Sequence, residues 1–223
     1  MNTLYFYGCS YGKFGTSEDN IWVDENSASQ YLAKRLDLQL VNRSVPGTCN
    51  YALFREVTLD LEKGNIKPDD LVIVQWSHID RAFSNLGYTI MPWSADTNPI
   101  VRDYYKNFHD DHQSFSLMVG WNEYLKSRLK NSYFFSFSDF IRDLQNSSNY
   151  LYNEFVSDDR VILFDGVGIK EYLFKLGDPK QTSVFFKCGH PSKIGHEFLG
   201  ETYYKGIVKR IKGIDGTIES PAV

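Results

Sequence analysis

The chain has 223 residues, 42% of them hydrophobic, with 24 basic and 28 acidic side chains and a formal net charge of −4. That length suits one α/β domain with a sizeable core, and the composition argues against disorder of the whole chain. No strongly basic face points to nucleic acid, and no basic or long apolar run points to a membrane. The opening residues, MNTLYFYGCSYG, lack the charged-then-apolar pattern of a secretory signal, so a cytoplasmic location is expected. Cys9, Cys49 and Cys188 are odd in number and widely spaced, which argues against a disulfide framework.

Thr3–Tyr7 is an apolar, aromatic run that stops at Gly8, the pattern of a buried first strand. Residues 11–25 read as loop. A helix follows over about Ser27–Leu36, capped by Asn26 or Ser27, and then a strand over Leu38–Val41. Pro46-Gly47 marks a turn before a helix from about Cys49 to Glu62, with Gly64 just past its end. Leu71–Trp76 is the clearest strand, continuous and β-branched, as in a parallel sheet covered on both faces. An irregular segment over residues 84–103 precedes one long helix, Tyr104–Leu129. Strands at Tyr133–Phe137 and Val161–Phe164, a short helix near Phe140–Leu144 and a last helix at Lys193–Ile211 complete the series.

Strands alternating with helices predict a three-layer α/β/α sandwich, flavodoxin-like, around a parallel sheet of about five strands. Residues 1–212 form the single domain, with a helical and irregular insertion around 84–129, and 213–223 read as a frayed tail. Such a fold places its site at the C-terminal ends of the strands. The polar segments there are Gly8–Gly12, Ser44–Asn50 and Ser77–Arg81.

In Gly8-Cys9-Ser10-Tyr11-Gly12 a tight strand-to-loop turn exposes a hydroxyl, which becomes a nucleophile only when a base takes its proton. Taken alone, the motif reads as an ordinary Gly/Ser turn. In Gly189-His190-Pro191-Ser192, Pro191 sits just ahead of a helix and holds His190 on the loop entering it. Gly47 brings a backbone N–H near a substrate oxygen and Asn50 offers a side-chain N–H; with the Ser10 N–H they make a candidate oxyanion hole, against the plain reading of a turn and helix cap.

These segments, in this order, resemble the SGNH, or GDSL-type, hydrolases over nearly the whole chain. The family's Gly-Asp-Ser block reads Gly8-Cys9-Ser10 here, its second block matches Asn42 and Gly47, its third falls on Gln75-Trp76-Ser77-His78, and its Asp-x-x-His-Pro block reads Lys187-Cys188-Gly189-His190-Pro191. The resemblance implies Ser10 as nucleophile, His190 as general base, and the N–H groups of Ser10 and Gly47 as oxyanion donors. Ser77 stands where the family has a donor Asn, with Asn50 as its candidate substitute. The family's orienting Asp falls on Lys187. The stretch from Trp76 to Arg81 resembles a divergent subgroup common in phage and bacteria.

The implied activity is hydrolysis of acyl esters, with acetyl esters on carbohydrate the best match to the aromatic content, and no cofactor. The competing reading is a ligand-binding or phage structural protein on a degenerate scaffold of this kind. Trp76, His78, Tyr88 and Trp93 are the candidate substrate-lining residues, although the aromatics of the insertion equally suit packing. A cysteine-rich metal site matches no compact zinc spacing, so no metal is expected. Cys9 should point into the fold, and His109 and His112 read as a solvated helix face.

Overall fold

Thr3–Tyr7 forms strand β1, and its side chains alternate between two hydrophobic clusters. Leu4 and Phe6 enter one, Tyr5 and Tyr7 the other, as the two-residue period of a strand requires. The structure is a computed structural model that describes residues 2–16, 21–84, 89–136, 150–164, 168–175 and 190–211.

After β1 comes a 3-10 turn at Ser10–Gly12, then a short hairpin of β2 (Phe14–Thr16) and β3 (Ile21–Val23). The expectation of loop over 11–25 missed this hairpin, whose strands are only three residues each. Helix α1 spans Ala28–Leu36, with Ser27 as cap accepting the Gln30 N–H, and β4 spans Gln39–Asn42. Helix α2 (Asn50–Glu62) and β5 (Leu71–Trp76) follow as expected. The insertion holds a second hairpin, β6 (Ala82–Phe83) with β7 (Thr89–Ile90), then a 3-10 turn at Pro92–Asp96.

The expected single helix over Tyr104–Leu129 is two helices, α3 (Pro99–Asn107) and α4 (Asp111–Arg128). Asp110 starts the second by accepting the N–H groups of His112 and Gln113, so the chain breaks at His109. His109 therefore lies between helices, with Nε2 2.8 Å from Asp111 Oδ1. Strands β8 (Ser132–Ser136) and β9 (Val161–Ile162) flank helix α5 (Tyr150–Ser157). Helix α6 (Ile169–Lys175), also not anticipated, precedes α7 (Lys193–Ile211). The short helix expected near Phe140–Leu144 and the tail 213–223 lie outside the described residues.

The main sheet has the order β4-β1-β5-β8-β9, and every pair in it is parallel. On one face α1, α6 and α7 contribute Leu32, Tyr172 and Tyr203 to a core with Phe6 and Ile73. On the other, α2, α4 and α5 contribute Leu53, Met118 and Phe155 to a core with Tyr7, Val74 and Trp76. The expected three-layer, flavodoxin-like sandwich is thus observed. The chain leaves β1 for β4 on one side and returns to β5 on the other, so the switch point lies beyond the ends of β1 and β5. Among the described residues no helix is long and apolar enough to cross a membrane.

Helices α1 and α7 approach closely at Gly200, where an added Cβ would collide with the Tyr31 side chain and lie 3.0 Å from the Ala28 carbonyl oxygen. Gly200→Val is expected to lower stability by roughly 1–3 kcal/mol through this overpacking. Urea denaturation measures it; an unchanged midpoint contradicts the packing described.

Candidate active site

Ser10 follows β1 across Gly8 and Cys9 and opens the 3-10 turn, while His190 immediately precedes the entry to α7. Although 180 positions apart, they meet: His190 Nε2 lies 3.1 Å from Ser10 Oγ. Cys9 points into the fold and is buried, as expected of the residue beside the nucleophile.

Two adjacent residues at the start of α1 hold both partners. The Ser29 hydroxyl donates to the Gly12 carbonyl at 2.9 Å, fixing the turn that carries Ser10. The Ala28 N–H donates to His196 Nδ1 at 3.1 Å, fixing the first turn of α7 behind His190. Ser192 caps that turn by accepting the Gly195 N–H at 3.3 Å. From β4, Asn42 Nδ2 also donates to the Gly12 carbonyl, at 2.8 Å, and its Oδ1 accepts the Ser44 N–H. Gly12 itself has no room for a side chain, since a Cβ there would run into Ser44.

Trp22 of β3 stands edge-on to the His190 ring with centroids 5.1 Å apart, and Tyr11 lies at 6.0 Å. These rings cover part of the imidazole, which is half-buried. Burial first, and the Arg81 charge second, push the His190 pKa below its ordinary 6.5. At neutral pH the imidazole is therefore neutral and able to accept a proton.

On the β5 side, the Ser77 N–H donates to Asn50 Oδ1 at 2.6 Å. With its oxygen so engaged, the Asn50 carboxamide has only its NH2 to offer an incoming oxygen. The Ser77 hydroxyl accepts from Arg81 Nη1 at 2.8 Å, and the same nitrogen donates to the Thr48 carbonyl at 3.1 Å. Gly47 takes φ +77°, and the Thr48 N–H donates to the Val45 carbonyl at 3.2 Å. With Pro46 at the second position, this is the type II turn pattern, which needs glycine at the third.

Of the expected substrate-lining residues, Trp76 is corrected. It is 0% exposed, packs in the core beneath α4 and donates its indole N–H to Asn122 Oδ1 at 2.8 Å. As an alternate residue of β5 it shares a face with Val72 and Val74 and belongs to the core beneath that face. His78 is half-buried beyond β5; burial, Arg81 and Lys170 push its pKa down to about 3. Trp93 is 59% exposed, and the Arg81 guanidinium lies over its ring at 5.5 Å. Tyr88, Lys187 and Cys188 lie outside the described residues.

Two residues that the sequence analysis gave no role stand here: Trp22 beside the imidazole and Arg81 on the Ser77 hydroxyl. The apolar triplet Ile21-Trp22-Val23 was the available signal for the first. A cavity of about 660 Å3 opens beside Arg81, reaching Asn50 and walled by Tyr51, Tyr104 and Trp121.

No family model matches the sequence, and a search of curated proteins finds no match. Solved structures do match. A psychrotrophic esterase from Pseudoalteromonas sp. has TM-score 0.55 at 14% identity, over 95% of this chain and 100% of that one. A catalytic mutant of an acetylxylan esterase from Geobacillus stearothermophilus gives 0.56 at 15% identity, over 92% and 94%. A GDSL-like protein from Parabacteroides merdae gives 0.55 at 14% identity, over 93% and 95%. The chain spans 58% of the length of another match, a Bacillus subtilis protein. With the parallel sheet, its strand order and the helices on both faces, these similarities establish that the chain has the SGNH, or GDSL-type, hydrolase fold.

Proposed function

We propose that the protein is a serine esterase. Ser10 Oγ attacks the carbonyl carbon of an acyl ester while His190 Nε2 takes the hydroxyl proton. The carbonyl oxygen becomes an oxyanion that accepts from the N–H groups of Ser10 and Gly47 and from Asn50 Nδ2. His190 then returns its proton to the departing alcohol, leaving an acyl group on Ser10. Water, deprotonated by the same imidazole, attacks this acyl-enzyme; the bond to Ser10 Oγ breaks, Oγ recovers the proton from His190, and the acid is released. Ser77, held by Arg81, supports the position of Asn50 through its backbone N–H.

The observation that carries this reading is the 3.1 Å contact between the Ser10 hydroxyl and the His190 ring, within hydrogen-bond reach. Esterase names among the structural neighbours support the reaction class. The acetylxylan esterase among them, and the aromatic walls of the cavity, favour acetyl esters on carbohydrate. The binding-protein reading has Lys187 in its favour, since the position of the orienting acid holds a base.

A fluorophosphonate probe separates the two. Wild-type protein is expected to be labelled, and Ser10→Ala and His190→Ala are expected to abolish labelling and to lower ester turnover by on the order of 10³-fold or more. An unlabelled wild type, or labelling that survives Ser10→Ala, contradicts the esterase reading.

The base must be unprotonated to act, so activity falls when pH drops through the His190 pKa. The acid limb of kcat/KM is therefore expected below pH 6.5. Arg81→Met removes one cause of the depression, so its limb should move upward. A wild-type limb above 6.5, or one that Arg81→Met shifts downward, contradicts the assigned electrostatics.

A further inference from the structure

The cavity beside Asn50 has an unbalanced charge. Its charged lining residues are Arg55 and Arg81, and no acidic side chain lines it among the described residues. Arg81 is anchored on one edge only, through Nη1 to the Ser77 hydroxyl and the Thr48 carbonyl, both uncharged acceptors. Its Nε is buried and has no hydrogen-bond partner among the described residues. A guanidinium whose hydrogen bonds go only to neutral acceptors is paired best by an anion. Arg55 pairs with Glu56 at 3.4 Å, but both side chains are about half exposed, so the pair is weak and readily exchanged. The Trp93 ring lies over the Arg81 guanidinium at 5.5 Å, and Tyr51, Tyr104 and Trp121 give the cavity aromatic walls on which a sugar ring can stack.

We propose that this cavity takes an anionic group of the substrate, held by Arg55 and Arg81, so that the ester hydrolysed is an acidic one. A carboxylate and a phosphate both match the planar fork of donors that arginine presents. The link to turnover rests on the esterase reading: Arg81 binds Ser77, and Ser77 binds Asn50, so a charge seated on Arg81 lies next to the proposed oxyanion donors. An acidic sugar ester satisfies both the aromatic walls and the arginines.

The test uses Ser10→Ala protein, in which binding is read without turnover, and three ligands that differ in charge alone or nearly so. Phenyl glucoside is neutral, phenyl glucuronide carries a carboxylate, and phosphorylated phenyl glucoside carries a phosphate. Calorimetric titration at low salt is expected to show one or both anionic ligands binding about tenfold or more tightly than the neutral one. The preference should shrink with added salt and collapse when Arg55→Gln or Arg81→Gln is introduced, with near-ultraviolet dichroism reporting that each variant is folded. Arg55 is the more telling position, because it touches neither Ser10 nor Ser77 in the contacts described. Equal binding of all three, binding of none, or a preference that survives both substitutions overturns the proposal. Phosphonate labelling reads the esterase independently, so a labelled enzyme without charge preference and a charge-selective protein without labelling are distinct results.

Discussion

The start of α1 joins two ends of the chain that sequence distance keeps apart. Ser29 holds the turn after β1 and Ala28 holds the first turn of α7, through bonds of 2.9 and 3.1 Å. Adjacent residues on one helix thus tie down both Ser10 and His190, and the Ala28 bond requires that α1 and α7 pack closely. Gly200 permits that approach, and Leu32, Leu199 and Tyr203 bury the seam. A hydroxyl and an imidazole gain nothing from proximity unless their geometry is held within a few tenths of an ångström, and side chains held from ordered secondary structure provide that.

Electrostatics follow from the same arrangement. The imidazole is enclosed by Trp22 and Tyr11 and faces a positive charge at Arg81, so its neutral form is favoured. His196 and His78 are also depressed, each to about 3, mainly by burial. His196 spends its neutral Nδ1 as an acceptor for the Ala28 N–H, a structural use that protonation would end. The entry to α7 therefore carries two histidines with different work: His190, just ahead of the helix, faces the hydroxyl, and His196, in its first turn, faces the backbone of α1.

Much of this was legible in the sequence because period and punctuation are local. Thr3–Tyr7, Leu71–Trp76 and Lys193–Ile211 stand where apolar pattern and glycine or proline boundaries put them. The motif residues Ser10 and His190 could be paired only through the resemblance, since nothing in 180 positions of chain states which loops will meet. The misses have physical causes. Three-residue strands such as Ile21–Val23 are too short to show alternation, so Trp22 went unseen beside the imidazole. The break at His109 depended on one carboxylate, Asp110, capping a new helix inside a pattern that reads as continuous. Trp76 sits beside the motif in sequence but on the other side of the sheet in space, because successive strand residues face opposite layers. Arg81 gained its role from contacts with Thr48 and Ser77, one of them 33 positions away.

The central claim is a working pair of side chains, and a crystal structure of the protein after reaction with a phosphonate ester tests it most directly. The account predicts phosphorus bonded to Ser10 Oγ, with the His190 ring within hydrogen-bond distance of the adduct. An unmodified Ser10, or an imidazole turned toward another surface of the molecule, contradicts it.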